Sequence, residues 1–573
     1  MKKPLCATLA VAVLFGAVAM SSSQVTSAAE QKPVVTVSFA GYDQLLSSVK
    51  TIGTLGGRPE LDKMIDGMIV FGTGGKGLAG LDKARPWGVV LYAGEEDKYP
   101  VLGFVPVTDL KELMKAIPKP GGGNFKPDAD GVYELDDGKG KTFFMSQKDT
   151  WAVVADSKDG LKSAPADPAA LMGDLSKKYL VAVRGSVKNI PADQREKFIK
   201  QWQALAEMGA QMQGGDMNAI VANAQKQNFK KLTALGKELD EVVVGLGTDK
   251  ANGIFLDVDV TALPDTAMAK QLAAAKDTKT DFAGLLVPGA ALTVLSGGTM
   301  SDADVTETKT MLAGVRKTAG KEIDGNDDLN ADQKKVAKEL LGDALDVLEK
   351  TIETKKSDGG LAVMLDAGAP TLVAGLALAD GGKLDKVVKQ LVAEAGKDNQ
   401  EIAKLIKLDA ETYSGFKIHT ASVPIEDESA ATIFGKQVDI IVAIADNGAY
   451  VAAGKGALKS LKQVIDKSKA EAGKPIAALQ VSLAGGPIAK FVAQVAPMDE
   501  VKGPAGMIAE LLAKSDGKDH ITLVSKVIPN GMSVRLNIEE GLIKAVMTLL
   551  PGGPGGPEGP GSGAKPKAGG DPF

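Results

Sequence analysis

Cysteine is all but missing from this chain: Cys6 is the only one in 573 residues, and it lies in the first apolar segment. The rest of the sequence therefore has no disulfide framework and no thiol nucleophile, and its stability must come from core burial. Histidine is nearly as scarce. His419 and His520 each sit in or beside an expected strand, with no second His or Cys at ligand spacing. A His-rich zinc site is excluded, a His-based catalytic pair has few possible members, and each histidine reads as a surface or sheet-edge residue. Aromatic residues make up 4% of the chain, which leaves little for ring stacking on bases or sugars. A clustered basic face is also missing, because both charge signs are interspersed along the chain. Nucleic acid is therefore not an expected partner. After the N-terminus no apolar run spans a membrane uninterrupted; the most apolar, 361–379, contains Asp366 and Pro370 and reads as a hairpin.

The N-terminus has the pattern of a cleavable signal peptide over residues 1–29. Lys2 and Lys3 form a positive start, 5–20 is uncharged and rich in Ala, Val and Leu, and Ser27 and Ala29 supply small side chains at −3 and −1. Cys6 has no small-residue lipobox before it, so cleavage without lipidation is expected. The product is an exported protein, periplasmic or extracellular. Removing Lys2 and Lys3 from 67 basic residues leaves 65 against 72 acidic ones, a net charge of −7. A chain of this length predicts two to four domains.

Internal repetition organises the remainder. A strand–turn–strand–helix unit is predicted four times: at Val89–Tyr92 with Val101–Val105 and a helix from Thr108; at Val242–Gly245 with Ile254–Val258 and a helix near 265–275; at Leu361–Leu365 with Leu372–Leu378 and a helix carrying Leu384, Val387, Val388, Leu391 and Val392; and at Ile521–Val527 with Ser533–Ile538 and a helix carrying Leu542, Ile543, Val546 and Leu549. A second match aligns 152–163 with 449–460, identical at seven of twelve positions, and follows only the first and third units. A tandem duplication is the economical account. It gives a first α+β half at 30–280 and a second at 285–550, in which antiparallel hairpins pack against amphipathic helices. Helical hairpins are expected over 192–241 and 302–354, broken at Gly214-Gly215 and at Gly325-Asn326-Asp327-Asp328. The tail, 551–573, is dominated by Gly and Pro and is expected to be disordered.

Several strings suggest chemistry, and each has a plainer reading. Gly72-Thr73-Gly74-Gly75-Lys76-Gly77 matches the dinucleotide-binding string G-x-G-x-x-G, but Leu61, Met64, Ile65, Met68 and Ile69 have helical spacing before it and Pro86 blocks a crossover helix after it. Gly72 then reads as the end of a helix. Asp324, Asn326 and Asp328 fall at positions 1, 3 and 5 of a calcium-loop pattern, yet Leu329 replaces the required Gly and Lys335 the bidentate Glu. They form a weak calcium candidate beside the simpler reading, a capping box of Asn330 and Gln333. Asp128-Ala129-Asp130-Gly131 and Asp136-Asp137-Gly138 read as turns. Trp87 reads as a core plug ahead of a strand, with recognition as the second reading. No G-x-S-x-G, H-E-x-x-H, Walker A or S-x-x-K motif occurs in the context its chemistry requires.

Gly41-Tyr42-Asp43-Gln44-Leu45-Leu46, Gly77-Leu78-Ala79-Gly80-Leu81-Asp82 and Arg85-Pro86-Trp87-Gly88, behind a signal peptide, resemble a group of uncharacterised secreted proteins of planctomycete bacteria. The resemblance is best over the first ~130 residues. It implies an envelope or extracellular location and a repeated α+β architecture, and it brings no activity or site residues with it.

The function expected from the sequence is that of a non-catalytic secreted or envelope-associated binding or scaffold protein, with a protein or other envelope component as partner and no catalytic or cofactor-binding residues assigned. The alternatives are a small-ligand or lipid carrier, and a hydrolase using carboxylates or Ser/Lys groups.

Overall fold

The structure, a computed structural model, describes residues 32–94, 99–117, 125–136, 141–197, 199–200, 236–249, 253–366, 369–398, 400–496 and 498–549. The signal segment, the 214–215 break and the tail lie outside them.

The first half of the chain gives β1 (Pro33–Phe39), helices Tyr42–Leu55 and Leu61–Gly72, β2 (Trp87–Tyr92), β3 (Val101–Pro106), helix Leu110–Ala116, β4 (Tyr133–Asp136), β5 (Thr142–Lys148), β6 (Trp151–Ala155), β7 (Val181–Ser186), β8 (Leu239–Asp249), β9 (Gly253–Ala262) and β10 (Lys279–Thr280). The second gives β11 (Leu292–Thr299), helices Asp302–Gly325 and Ala331–Glu353, β12 (Lys356–Asp366), β13 (Ala369–Ala377), helix Gly381–Asp398, β14 (Ile406–Tyr413), β15 (Phe416–Pro424), β16 (Gln437–Ala445) and β17 (Gly448–Gly454). Helix Ala457–Ala470, β18 (Lys474–Pro475), β19 (Leu479–Ala484), helices Gly485–Val495 and Asp499–Ala513, β20 (His520–Ile528), β21 (Gly531–Ile538) and helix Glu540–Leu549 follow. The molecule is thus α+β with a large antiparallel sheet.

Local chemistry accounts for the element ends. The pair of long helices is set by two capping boxes, Ser301 with Asp304 and Asn330 with Gln333. Helix Leu61–Gly72 ends where the glycine reading places it, followed by Gly74, Gly75 and Gly77 at positive φ. Asp128 accepts hydrogen bonds from the backbone N–H groups of Asp130 and Val132, which makes the 128–131 string a turn. Two expected boundaries move. β12 begins at Lys356 and not at Leu361, and β8 begins at Leu239, so the helix expected to 241 stops short. Both segments carry charged residues, at 356, 358, 238, 240 and 241, which the ladder tolerates because its hydrogen bonds are made by the backbone and not by the side chains.

Nineteen strands form one sheet, and β10 and β18 form a separate two-stranded piece. The pairings join the nineteen in a single line: β4-β5-β6-β3-β2-β1-β7-β8-β9, then β21-β20-β19-β11-β12-β13-β17-β16-β15-β14. The two halves of the chain meet where β9 pairs with β21. Outward from that junction each half runs through its last three strands, its first three, and then its middle ones in reverse; the second half carries one extra strand at its edge. The sheet therefore passes through both halves without a break. The stretch around 280 packs with the second half: Thr280 Oγ1 donates to Asp358 (2.6 Å), and Phe282 and Leu285 join the core of Val373, Ile418, Ile441 and Leu461.

Candidate functional site

Residues directly opposite each other in neighbouring strands point to the same face, so the register shows what each face carries. From β2 inward, Trp87 pairs with Phe39, Phe39 with Val181, Val181 with Leu246, and Leu246 with Leu256. Across the junction Leu256 meets Leu536, then Leu523, Val481 and Val294 follow. Leu361, Ala374, Val451 and Val442 complete the row on β12, β13, β17 and β16. Thirteen strands thus place thirteen apolar side chains in line. At ~4.8 Å between strands the row is about 58 Å long.

A second row, two residues away on each strand, starts at Ile254–Ile538–Ile521 and continues through Leu483, Leu292, Val363 and Leu372. On the other side of the first row Val37, Val183, Val244, Val258 and Val534 stand in register and lead to Ser525. That hydroxyl is already used: it accepts from Leu479 N–H (2.9 Å) and donates to the Leu479 carbonyl (3.3 Å). Leu246, Leu376 and Val451 on this face are 41, 49 and 42% exposed, and most of the others are half-buried. A surface this large and this uniformly apolar is the mark of an interaction site.

Three helices border the face. At one end Leu110, Leu113 and Met114 of helix Leu110–Ala116 pack against Val89 and Val105; Val89 pairs with Val37 and so shares the face. At the other end Leu384 and Val388 of helix Gly381–Asp398 pack against Val442 and Ile444. Along the strand ends, helix Tyr42–Leu55 is tied down by Thr248 Oγ1, which lies 3.2 Å from Ser48 Oγ. Trp87 stacks on Phe39 with ring centroids 4.1 Å apart, at the end of the row. It closes the face as a plug would.

The opposite face is polar at the junction. Asp257, 1% exposed, receives Arg535 Nε (2.7 Å) and Nη2 (2.8 Å) as a bidentate pair, and the Tyr179 hydroxyl at 3.1 Å. Burial pushes the Asp257 carboxyl up, and the Arg535 hydrogen bonds and charge outweigh it, so the group stays below its usual range. Burial also pushes the Tyr179 hydroxyl up to about 12. Arg535 lies over the Phe255 ring at 4.1 Å.

The two histidines are placed differently from the surface reading. His419 is 3% exposed in β15, and its polarity is accommodated because both ring nitrogens have partners. Nδ1 accepts the Asp409 backbone N–H (3.0 Å), which puts the proton on Nε2, 2.9 Å from Asp385 Oδ1. Asp385 is held further by Lys417 (3.0 Å) and Lys389 (3.1 Å), and Lys389 also reaches Asp409 (2.7 Å). Burial raises the Asp385 carboxyl, and Lys417 and Lys389 more than offset it, so its pKa is lowered. Asp385, Asp409 and His419 lie close enough to hold a metal ion. The imidazole, however, has no lone pair to offer and the carboxylate already carries two ammonium groups, so the cluster fits a closed charge network better than a metal site. His520 is half-buried at the start of β20, with Nδ1 3.0 Å from the Gly517 carbonyl and 3.3 Å from Glu539.

The calcium candidate is built as an interhelical turn. Lys338 bonds the Asp324 carboxylate and Lys334 its carbonyl (2.8 Å), while Asn326 Oδ1 accepts the Asp328 backbone N–H (2.9 Å). Asp324 is thus neutralised by lysine and Asn326 closes its own turn, and Asp324, Asn326 and Asp328 are all exposed. Among the described residues no helix is long and apolar enough to cross a membrane. No protein-family model, curated protein or solved structure matches the chain.

Proposed function

We propose that this chain is an exported, non-catalytic binding protein, and that it binds through the apolar face of its central sheet. The observation that carries the reading is the thirteen-strand apolar row, bordered by helices at both ends. The charged clusters elsewhere are saturated by their own partners, and a catalytic acid or base needs a proton site left free for substrate. The partner expected from the sequence, a protein or other envelope component, then narrows to one that presents apolar surface.

Duplication of a half-length unit supports the same reading, since it doubles the area of one face. Gly253 opens β9 and Gly531 opens β21. A side chain at Gly253 would fall 2.1 Å from the Ile538 carbonyl oxygen, and one at Gly531 would fall 2.3 Å from that of Val260. The same spacing, 278 residues, relates Gly253 to Gly531 and Val260 to Ile538, as a two-fold axis through the junction requires. The matching segments 152–163 and 449–460 each hold a strand followed by a helix. Export rests on residues 1–29, and a mature N-terminus near Glu30 by mass spectrometry is its test.

Binding is tested with an apolar fluorescent dye of the anilinonaphthalene type on the mature chain. Saturable binding that falls at least tenfold in the Leu246→Asp/Leu376→Asp double variant is expected. Dye binding that is absent, or equal in the variant, overturns the assignment of the face.

A further inference from the structure

The border of the apolar face and the chemistry of its rows together limit what can lie on it. A second sheet would need flat access, which the helices Leu110–Ala116 and Gly381–Asp398 deny at the two ends by packing on this same face. The second of these is itself backed by helix Ala331–Glu353, through Lys383 to Asp343 (2.8 Å) and Asp346 (2.7 Å). An extended peptide needs backbone partners, yet the strands of the row are paired on both sides, and the Ser525 hydroxyl is occupied. An occupant must therefore be slender and free of hydrogen-bonding demand along its length. Aliphatic side chains dominate, with Trp87 and Phe39 confined to one end, so the surface offers no ring-shaped slot. A saturated hydrocarbon chain meets all of these conditions.

Resting on the reading of this face as the binding surface, we infer that the occupant is a lipid-type amphiphile taken up as single molecules, with its hydrocarbon chain along the apolar rows. The two most exposed parts of the face lie one in each half, at Val183, Val244 and Leu246 and at Leu372, Leu376 and Val451. They are seven strand intervals apart, about 34 Å at ~4.8 Å each, so separate chains can seat in the two halves.

The test uses the mature chain and hexadecanoate, with octanoate as the short-chain control, in competition with bound cis-parinarate. Hexadecanoate is expected to displace the probe at concentrations at least tenfold below octanoate, because every additional buried methylene adds affinity. Native mass spectrometry is expected to show discrete adducts. Leu246→Asp and Leu376→Asp, both at exposed positions, are each expected to weaken displacement severalfold while circular dichroism stays unchanged. Equal displacement by the two acids overturns the inference even if neither variant folds. So does co-sedimentation with phosphatidylglycerol vesicles without any soluble adduct, which marks membrane docking instead. If an amphipathic leucine/lysine peptide binds and hexadecanoate does not, the binding face stands and the lipid inference fails; if neither binds, both fail.

Discussion

Replacing Arg535 by Met tests whether the junction between the two halves depends on one ion pair. The substitution keeps the aliphatic stem and removes the guanidinium from a carboxylate that is 1% exposed. Breaking a buried pair by removing one partner costs ~3–5 kcal/mol. Here the figure is reduced, because the Arg535 side chain is 45% exposed and its share is screened by water. The Tyr179 hydroxyl at 3.1 Å and Lys178 at 3.4 Å also remain to serve Asp257. About 2 kcal/mol is left. In a chain of this size a global unfolding free energy is poorly defined, so local opening is the better measure. Amide hydrogen exchange in 253–262 and 531–538 is expected to be about 30-fold faster in the variant at neutral pH. The pH dependence follows from the sign of the shift. Asp257 is held below its usual range, so its contribution is complete above the unfolded carboxylate pKa and is lost as pH falls through the folded value. The ratio of exchange rates between variant and wild type should therefore shrink toward one in acid. Adding Asp257→Asn to Arg535→Met should recover part of the loss, since no buried charge is then left unpaired. A change under threefold at pH 7, or one that persists undiminished in acid, would refute the argument.

Gly245→Ala places a methyl group 2.5 Å from the Tyr179 ring; overpacking of about 1–3 kcal/mol is expected, read as a lowered thermal midpoint with an altered near-ultraviolet dichroism of tyrosine, and a neutral result would contradict the ring's position. Asn330→Ala removes the cap of helix Ala331–Glu353 and should cost about 1 kcal/mol, seen as faster exchange of the first-turn amides and restored by Asn330→Ser. The nitrogen shifts of His419 should show the proton on Nε2 and remain unchanged on addition of zinc at pH 7; a proton on Nδ1 or a zinc-dependent shift would sink the closed-network reading. Stability carried by Asp385 should be present at neutral pH and fall away in acid, below the usual carboxylate range, and Asp385→Asn should flatten that acid limb.

The local parts of this fold were legible because their signals are local. Hydrophobic alternation and turn residues locate β20, the turn at Pro529 and Asn530, and β21, and Asn530 adopts the positive φ that asparagine tolerates. The Asn330 and Gln333 spacing locates a helix start. The apolar face was not legible. Leu246, Leu256 and Leu536 each look like one more strand residue, and only the register of pairings between segments hundreds of residues apart puts them in line. The same holds for His419. Its sequence neighbours say nothing of Asp385, which lies 34 residues away on a helix and turns an apparently superficial histidine into a buried, fully partnered one. Asp257 and Arg535, 278 residues apart, could likewise be joined only by the sheet.

The position of β21 also sets an order of events. It is the last strand of the chain, yet it stands near the middle of the sheet, between β9 and β20. Until residues beyond 538 are available, everything before 263 can pair only among itself and ends in an unpaired β9 edge, whose long-range partner is the slowest kind of contact to find. A chain shortened before Gly531 should keep that edge open and associate through it, as partly folded chains with bare strand edges do. Completion of the sheet thus works as a checkpoint on length: the two halves become one surface only when the whole polypeptide has been delivered.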